Sequence, residues 1–220
     1  MRGRDIKRYS YEYADLYLIA TFPSKHYDIE EYPAIKNYLL SFGLERLEQT
    51  GKEYKVNGEK IKARKKTNNK WFETQDSISY WEELFQPKII WGEISDKSKF
   101  AFDFKGAFTN EATTFYMRGE NIEFLFAALN SLLSEWFFSK IGTTTGVGTV
   151  RWKKYTIEQL IVIKPSKKEL EKYLAVFDKF QNNKITVSEF EKFNNEFIFS
   201  LYGLTTEEIC YVNEYCSKFL

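Results

Sequence analysis

Short apolar runs in the middle of the chain predict a small sheet followed by a helix. Residues 88–94, 99–104 and 113–117 are rich in β-branched and aromatic side chains and are followed by polar residues or glycine, a pattern typical of strands. Between residues 121 and 140, leucines and aromatic residues recur at spacings of three and four, which predicts one apolar helix. We interpret this part as a platform whose edges and loops carry the function.

The N-terminal residues predict two further strands. Residues 2–13 interleave basic side chains with tyrosines at a period of two, and residues 16–21 form an apolar run typical of a buried strand. Arg4 and Lys7 precede the tyrosines and are candidates for contact with phosphate groups. The alternative is a solvated edge strand that carries protective charges.

Residues 52–70 are the most basic stretch of the chain. They contain eight Lys or Arg residues against two Glu, and Asn57-Gly58 predicts a tight turn within a hairpin over residues 54–62. Arg and Lys suit phosphates and guanine edges, while Asn can pair bidentately with adenine. The candidate nucleic-acid contacts are Arg64, Lys65, Lys66, Asn68, Asn69 and Lys70. A disordered, solvated loop is the alternative.

A second candidate loop spans residues 142–154. It contains three Gly and four Thr, but the spacing of a nucleotide-binding P-loop is missing. Threonine can donate to a phosphate or contact a thymine methyl group, and glycine allows close approach of the backbone. The candidate contacts here are Thr143, Thr144, Thr145, Arg151, Lys153 and Lys154. A flexible connection between elements is the alternative, and residues 155–164 predict a final strand.

The character of the chain changes at residue 166. From there the net charge is acidic and the apolar residues follow a helical period, which predicts a C-terminal helical arm. The predicted fold class is α+β, with a mixed, mainly antiparallel twisted sheet, packed helices and this arm. We therefore divide the chain into a recognition domain over residues 1–165 and an arm over residues 166–220.

Composition limits the chemistry that this chain can perform. The formal net charge is only +1, and the single histidine leaves no Ser/His/Asp, Cys/His or metal-binding cluster. Cys210 and Cys216 are spaced for neither a zinc site nor a disulfide framework, which predicts a reducing, cytoplasmic location. No apolar run approaches the ~20 residues of a membrane span, so we expect no membrane partner.

Five segments, in their order along the chain, carry a resemblance to a known family. They read RGRDIKRY, YPAIKNYLLSF, WFETQDSISYWEELFQPKIIWGEIS, FAFDFKGAFTNEATTFYM and LFAALNSLLSEWFF. Over residues 2–165 the sequence resembles the TaqI-like C-terminal specificity domain, the target-recognition part of type IIG restriction–modification enzymes and related adenine-specific DNA methyltransferases. The departures lie mainly in the two candidate loops, so individual base contacts are not carried over.

The resemblance implies a chain that binds one face of double-stranded DNA and catalyses nothing itself. Methyltransferase and nuclease domains of the same polypeptide would act elsewhere, and the charged, strand-like start fits a fragment of a longer protein. Lys and Arg would contact phosphates, a few loop side chains would read base edges, and the target adenine would be flipped into the methyltransferase. S-adenosylmethionine and Mg²⁺ are expected only for those domains, so this chain is expected to hold no cofactor and no metal.

Two other function classes stay open at this point. One is a protein-interaction module of a restriction–modification assembly, in which the helical arm and the aromatic surface bind a partner subunit. The other is a metal-dependent nuclease, because Glu93, Asp103 and Lys105 follow the D…[DE]-x-K layout of such enzymes. The first class predicts no salt-dependent DNA binding, and the second predicts magnesium-dependent cutting that Asp103→Ala abolishes.

Overall fold

The structure is a computed structural model that describes residues 1–145 and 149–218. It contains two compact units, one formed by Met1–Leu16 with Glu83–Leu220 and the other by Tyr17–Glu82. Helices and small antiparallel sheets occur together, which confirms the predicted α+β class. The strands form several small sheets in place of one large one.

The regular elements are numbered in chain order. The strands are β1 Ile6–Lys7, β2 Ser10–Tyr11, β3 Glu53–Val56, β4 Glu59–Lys62, β5 Lys88–Gly92, β6 Ile94–Ser95, β7 Phe100–Asp103, β8 Thr114–Met117, β9 Thr143–Thr144 and β10 Val150–Arg151. The helices are α1 Pro33–Leu40, α2 Leu44–Leu47, α3 Ile122–Asn130, α4 Leu132–Ile141, α5 Lys154–Ile157, α6 Lys167–Gln181, α7 Val187–Leu201 and α8 Thr206–Lys218.

The central sheet of the first unit has the order β7-β5-β8, and both strand pairs are antiparallel. Its middle strand β5 is buried on both faces, which explains its apolar run at residues 89–91. Successive side chains alternate between the faces. Ile89 and Trp91 join the main core, whereas Ile90 packs with Ile6 and Ala101 in a smaller cluster on the other side.

Helices α3, α6 and α7 share the main core with this sheet. Phe126 of α3 is fully buried, and α6 and α7 contribute Tyr173, Phe177, Phe190 and Ile198 to the same cluster. Phe180 and Phe190 stack with ring centroids 4.2 Å apart, so α6 and α7 also pack on each other. The predicted arm is therefore helical and belongs to the same compact unit as residues 83–165. The division at residue 165 stays a prediction about functional modules.

The expected single helix over residues 121–140 is two helices that meet at Ser131. Ser131 has extended backbone angles, and its hydroxyl caps α4 by accepting a hydrogen bond from the Ser134 amide at 3.2 Å. The Leu132 amide donates to the Asn195 side chain at 2.9 Å. The apolar spacing continues through this break, so periodicity alone did not reveal it.

Asn130, the last residue of α3, joins the helix to the central sheet. Its side-chain oxygen accepts from the Phe100 amide, and its Nδ2 donates to the Phe100 carbonyl, both at 3.1 Å. Nearby, Asn194 of α7 donates to the Tyr9 hydroxyl at 2.8 Å and to the Ala127 carbonyl at 2.9 Å. These fully buried amides tie two helices to the N-terminal hairpin and the sheet.

Three strands expected from the sequence are replaced by other structure. Residues 2–13 form a short turn and the hairpin β1-β2, because Tyr9 takes a positive φ of 64° and is buried. Residues 16–21 form no strand, and Leu16 and Leu18 are exposed where the chain leaves one unit for the other.

The third replaced strand is the expected one over residues 155–164. Lys154–Ile157 is the short helix α5, and the rest of this segment has no regular structure. The Tyr202 hydroxyl holds it by donating to the Ile161 carbonyl at 2.5 Å and accepting from the Ile163 amide at 3.2 Å. An apolar run alone did not distinguish a strand from a segment held by a helix.

The second unit contains α1, α2 and the hairpin β3-β4. The expected hairpin over residues 54–62 is confirmed, with Tyr54 opposite Ile61 and Asn57-Gly58 in the turn. Both turn residues have positive φ, 50° and 87°, which is the conformation that Asn-Gly adopts most readily. This hairpin leads directly into the basic residues 64–70.

Within residues 1–145 and 149–218, no helix has both the length and the apolar character that a membrane crossing requires.

We predict that Asn130→Ala lowers the free energy of unfolding by about 2–3 kcal/mol, because buried backbone groups of Phe100 and Phe126 lose their partner. Urea denaturation measures this change. Asn182→Ala is the control, since Asn182 is exposed just after the last residue of α6 and loss of its side chain should cost less than ~0.5 kcal/mol. Equal effects of the two variants would contradict the bridging role.

Candidate nucleic-acid interface

Arg64 stabilises residues 64–70, here called the basic loop, through hydrogen bonds to the neighbouring backbone. Its guanidinium donates to the carbonyls of Leu47 at 2.8 Å and Glu73 at 3.0 Å, and also to that of Trp71. Burial lowers the pKa of Arg64 from its ordinary value. With its Nε and both terminal nitrogens engaged, Arg64 shapes the loop and is poorly placed to meet a phosphate in this conformation.

Asn69 and two buried side chains complete this bracing. Asn69 donates to the carbonyls of Thr74 at 2.9 Å and Gln75 at 3.1 Å. Gln49 donates to the carbonyls of Lys70 and Glu73, and the Glu73 carboxylate accepts from the Lys70 amide at 2.7 Å. Sequence reasoning missed Gln49 and Glu73, since nothing in their surroundings distinguishes them from surface residues. The expected alternative of a disordered loop does not describe this segment.

Four of the predicted contacts in this loop are exposed: Lys65, Lys66, Asn68 and Lys70. Lys65 forms a surface ion pair with Asp76 at 2.9 Å, which a phosphate can replace at little cost because both side chains are solvated. Lys70 lies 5.6 Å from the centre of the Phe72 ring. A backbone held by internal hydrogen bonds that carries exposed cationic side chains suits phosphate contact, because less conformational entropy is lost on binding.

The second candidate loop begins on a sheet edge. β9 is the outer strand of the sheet β6-β10-β9, and Thr143 and Thr144 are exposed on it. The Thr145 amide donates to the Thr149 carbonyl at 3.0 Å, and the two hydroxyls are hydrogen-bonded to each other. The intervening residues 146–148 of this candidate loop lie outside the described residues.

The segment Arg151-Trp152-Lys153 points one aromatic ring inward and two cations outward. Trp152 is 3% exposed and stacks on Phe138 with ring centroids 3.8 Å apart. Its carbonyl accepts from Trp91 Nε1 at 2.8 Å. Arg151 and Lys153, on either side of the buried ring, are partly exposed and both approach Glu93.

The remaining predicted DNA contacts, Lys154, Arg4 and Lys7, are at the surface. Lys154 is exposed and pairs with Glu158 at 3.7 Å, one turn along α5. Arg4 is exposed, and Lys7 approaches Glu12 at 3.6 Å. The neighbouring Arg2 guanidinium hydrogen-bonds to Asp5 and lowers the pKa of that carboxyl to about 2, which fixes the turn that carries Arg4.

A concavity of about 630 Å³ in the first unit brings the N-terminal cations near the strand β6. Arg4, Lys7, Glu93 and Thr149 are among the residues that line it. The first unit thus groups the N-terminal candidates with part of the second loop. Residues 64–70 belong to the unit Tyr17–Glu82 and form a separate cluster.

The Asp103 carboxylate, which is central to the nuclease alternative, is fully engaged in hydrogen bonds within the fold. Its carboxylate accepts from Lys88 Nζ at 2.6 Å and from the amides of Ala107 and Phe108, and it is 2% exposed. Glu93 in turn is paired with Arg151. In the part of the chain that the structure describes, no three His, Cys, Asp or Glu side chains are grouped as a metal site requires.

The sequence of the chain matches a known family over most of its length. The family model of the TaqI-like C-terminal specificity domain matches residues 1–162. The chain belongs to this family. The resemblance noted in the sequence is thereby confirmed. No curated protein matches the chain.

The TaqI-like C-terminal specificity domain is a DNA-recognition domain of restriction–modification systems and not a catalytic domain, so residues 1–162 form a DNA-specificity module. Its partner is accordingly DNA. The family match covers both candidate loops, but it assigns no individual contact. The predicted contact residues stay predictions, and the structure distinguishes the exposed ones from those that brace the loops.

We predict that Asp103→Ala destabilises the fold by about 3–5 kcal/mol, because Lys88 would keep a buried charge without its partner. Urea denaturation checks this. The control is Asp96→Ala, which removes a carboxylate from an exposed pair with Lys99 and should cost at most ~1 kcal/mol. If the Asp103→Ala protein were stable and had lost a magnesium-dependent DNA-cleaving activity, the result would support a nuclease function.

Proposed function

We propose that this chain is the sequence-specific double-stranded DNA recognition module of a type IIG restriction–modification enzyme. It positions a methyltransferase and a nuclease that other domains of the same polypeptide supply. The observation that carries the proposal is the family match over residues 1–162 together with exposed cations on internally braced loops. A cytoplasmic location, where DNA and reduced thiols occur together, is part of this proposal.

Some side chains of the two loops contact the DNA backbone, and others recognise the bases. Exposed lysines such as Lys65 and Lys66 contact phosphates, which sets the register of the protein on the duplex. Asn68 and Arg151 carry the side-chain chemistry that reads adenine and guanine edges in the major groove, where a bidentate pair contributes about 1–3 kcal/mol of discrimination. The scaffold beneath them keeps the reading geometry constant.

The chemistry takes place outside this chain. An adenine methyltransferase needs its target base out of the stack, so the recognition module holds the flanking duplex while the base enters the other domain. S-adenosylmethionine and Mg²⁺ belong to those domains in this proposal. The role of the present chain is to place the correct adenine within reach.

We predict that Lys65→Ala/Lys66→Ala weakens binding to random duplex DNA and makes it less salt-dependent. Each lost phosphate contact should reduce the slope of log K against log salt by about 0.9, hence by about 2 for the double variant. A fluorescence titration at several salt concentrations measures both quantities.

The matched control is Lys55→Ala/Lys60→Ala, which removes two exposed lysines from the β3-β4 hairpin of the same unit. Its salt slope should stay closer to that of the unmodified chain. If folded, monodisperse protein binds no DNA at low salt, the recognition function is wrong and the interaction module becomes the better account. Equal losses in both double variants would contradict the assignment of the basic loop.

A further inference from the structure

The pairing of cations differs between the two candidate surfaces. In residues 64–70, neither Lys66 nor Lys70 forms an ion pair within the described part of the chain. Around the concavity of the first unit, most cations face a carboxylate. These pairs are Arg2–Asp5, Lys7–Glu12, Lys99–Asp96, Arg151–Glu93 and Lys153–Glu93. This second surface is thus largely charge-compensated.

Glu93 is the centre of this compensation. Its Oε1 accepts from Arg151 Nη1 at 2.9 Å and lies 3.9 Å from Lys153 Nζ. The side chains of Glu93 and Arg151 are 23% and 42% exposed, so solvent screens this ion pair on the arginine side only. The negative charge of Glu93 therefore lies close to the positive charges of two residues that are predicted to contact DNA, Arg151 and Lys153.

The backbone holds Glu93 and its partners in a fixed relation. Glu93 lies between β5 and β6, and Arg151 of β10 is opposite Ile94 of β6. The Glu93 carbonyl accepts from the Trp152 amide at 2.7 Å, and its own amide donates to the Thr113 carbonyl at 3.0 Å. The orientation of Arg151 is thus set by the sheet and by a carboxylate together.

Only part of the Arg151 guanidinium is used in this arrangement. Glu93 engages Nη1, while Nε and Nη2 have no hydrogen-bond partner among residues 1–145 and 149–218. A guanidinium that is held on one side and open on the other can donate to a planar acceptor, such as the edge of guanine. A free arginine at the same place would bind any phosphate equally well.

We propose that Glu93 is a specificity-determining residue of this chain. It holds Arg151 in a base-reading orientation and, by offsetting Arg151 and Lys153, keeps them from binding the DNA backbone irrespective of sequence. The proposal rests on the proposed function, since it concerns how the same surface discriminates among DNA sequences. Glu93 is a positioning residue, because it acts through Arg151 and Lys153.

The test uses the complete 220-residue chain and the variant Glu93→Gln, which keeps the size and one acceptor oxygen but removes the charge. Binding is measured first to random duplex DNA across a salt series. The same proteins then bind the best sequence that the unmodified chain selects from a randomised duplex library. The ratio of the two affinities is the specificity.

We expect Glu93→Gln to bind random duplex DNA about three- to tenfold more tightly, with a salt slope steeper by about one to two phosphate contacts. The specificity should fall by about tenfold, because Arg151 no longer favours a base edge over a phosphate. Glu93→Asp keeps the charge and should restore weak binding to random DNA. A thermal unfolding midpoint close to that of the unmodified chain shows that each variant is folded.

Glu111→Gln is the matched control. Glu111 lines the same concavity but forms no ion pair with Lys or Arg in the described residues, so it changes the net charge equally without releasing Arg151. If Glu111→Gln has the same effects as Glu93→Gln, net charge alone explains them and the proposal is wrong. It is also wrong if the unmodified chain binds DNA and Glu93→Gln binds random DNA no more tightly. If no protein in the series binds DNA, the proposed function itself fails.

Discussion

The burial of Trp152 is the constraint on which the candidate surface depends. The ring stacks on Phe138 of α4 and meets Phe100 of the central sheet edge-on, while Trp91 Nε1 donates to the Trp152 carbonyl. The Lys153 amide donates to the Arg151 carbonyl at 2.9 Å, so the chain turns at the buried Trp152 and leaves Arg151 and Lys153, on either side of it, partly exposed. A buried aromatic ring thus positions two cations that have little packing of their own.

In the second unit, too, some side chains stabilise the fold while their neighbours are exposed. Arg64 and Asn69 look like nucleic-acid contacts in the sequence, yet their donors stabilise backbone carbonyls of the loop. The exposed Lys65 and Lys66 are carried by this frame. In both units, polar and aromatic groups that are used internally hold the exposed side chains at fixed places. Such a scaffold reduces the conformational entropy lost on binding, which is how a small number of contacts can discriminate.

The sequence predicted those features that depend on local chemistry. The central strands β5, β7 and β8 follow from aromatic and β-branched runs, and the β3-β4 hairpin follows from Asn57-Gly58. Features set by tertiary contacts were not predictable in this way. The break at Ser131 depends partly on Asn195, which is distant in sequence, and the segment after α5 is held by Tyr202. The pairing of Glu93 with Arg151 spans 58 positions, so no local pattern indicated it.

The central claim is that exposed cations of the two loops meet DNA while the C-terminal helices do not. Lysine acylation of the 220-residue chain, analysed by mass spectrometry with and without the best duplex sequence that the chain selects from a randomised library, tests it most directly. The account predicts that DNA protects Lys65, Lys66 and Lys153, whereas the exposed Lys167, Lys168 and Lys172 on α6 react equally in both samples. Protection confined to α6, or no protection anywhere under conditions where DNA is bound, would contradict it.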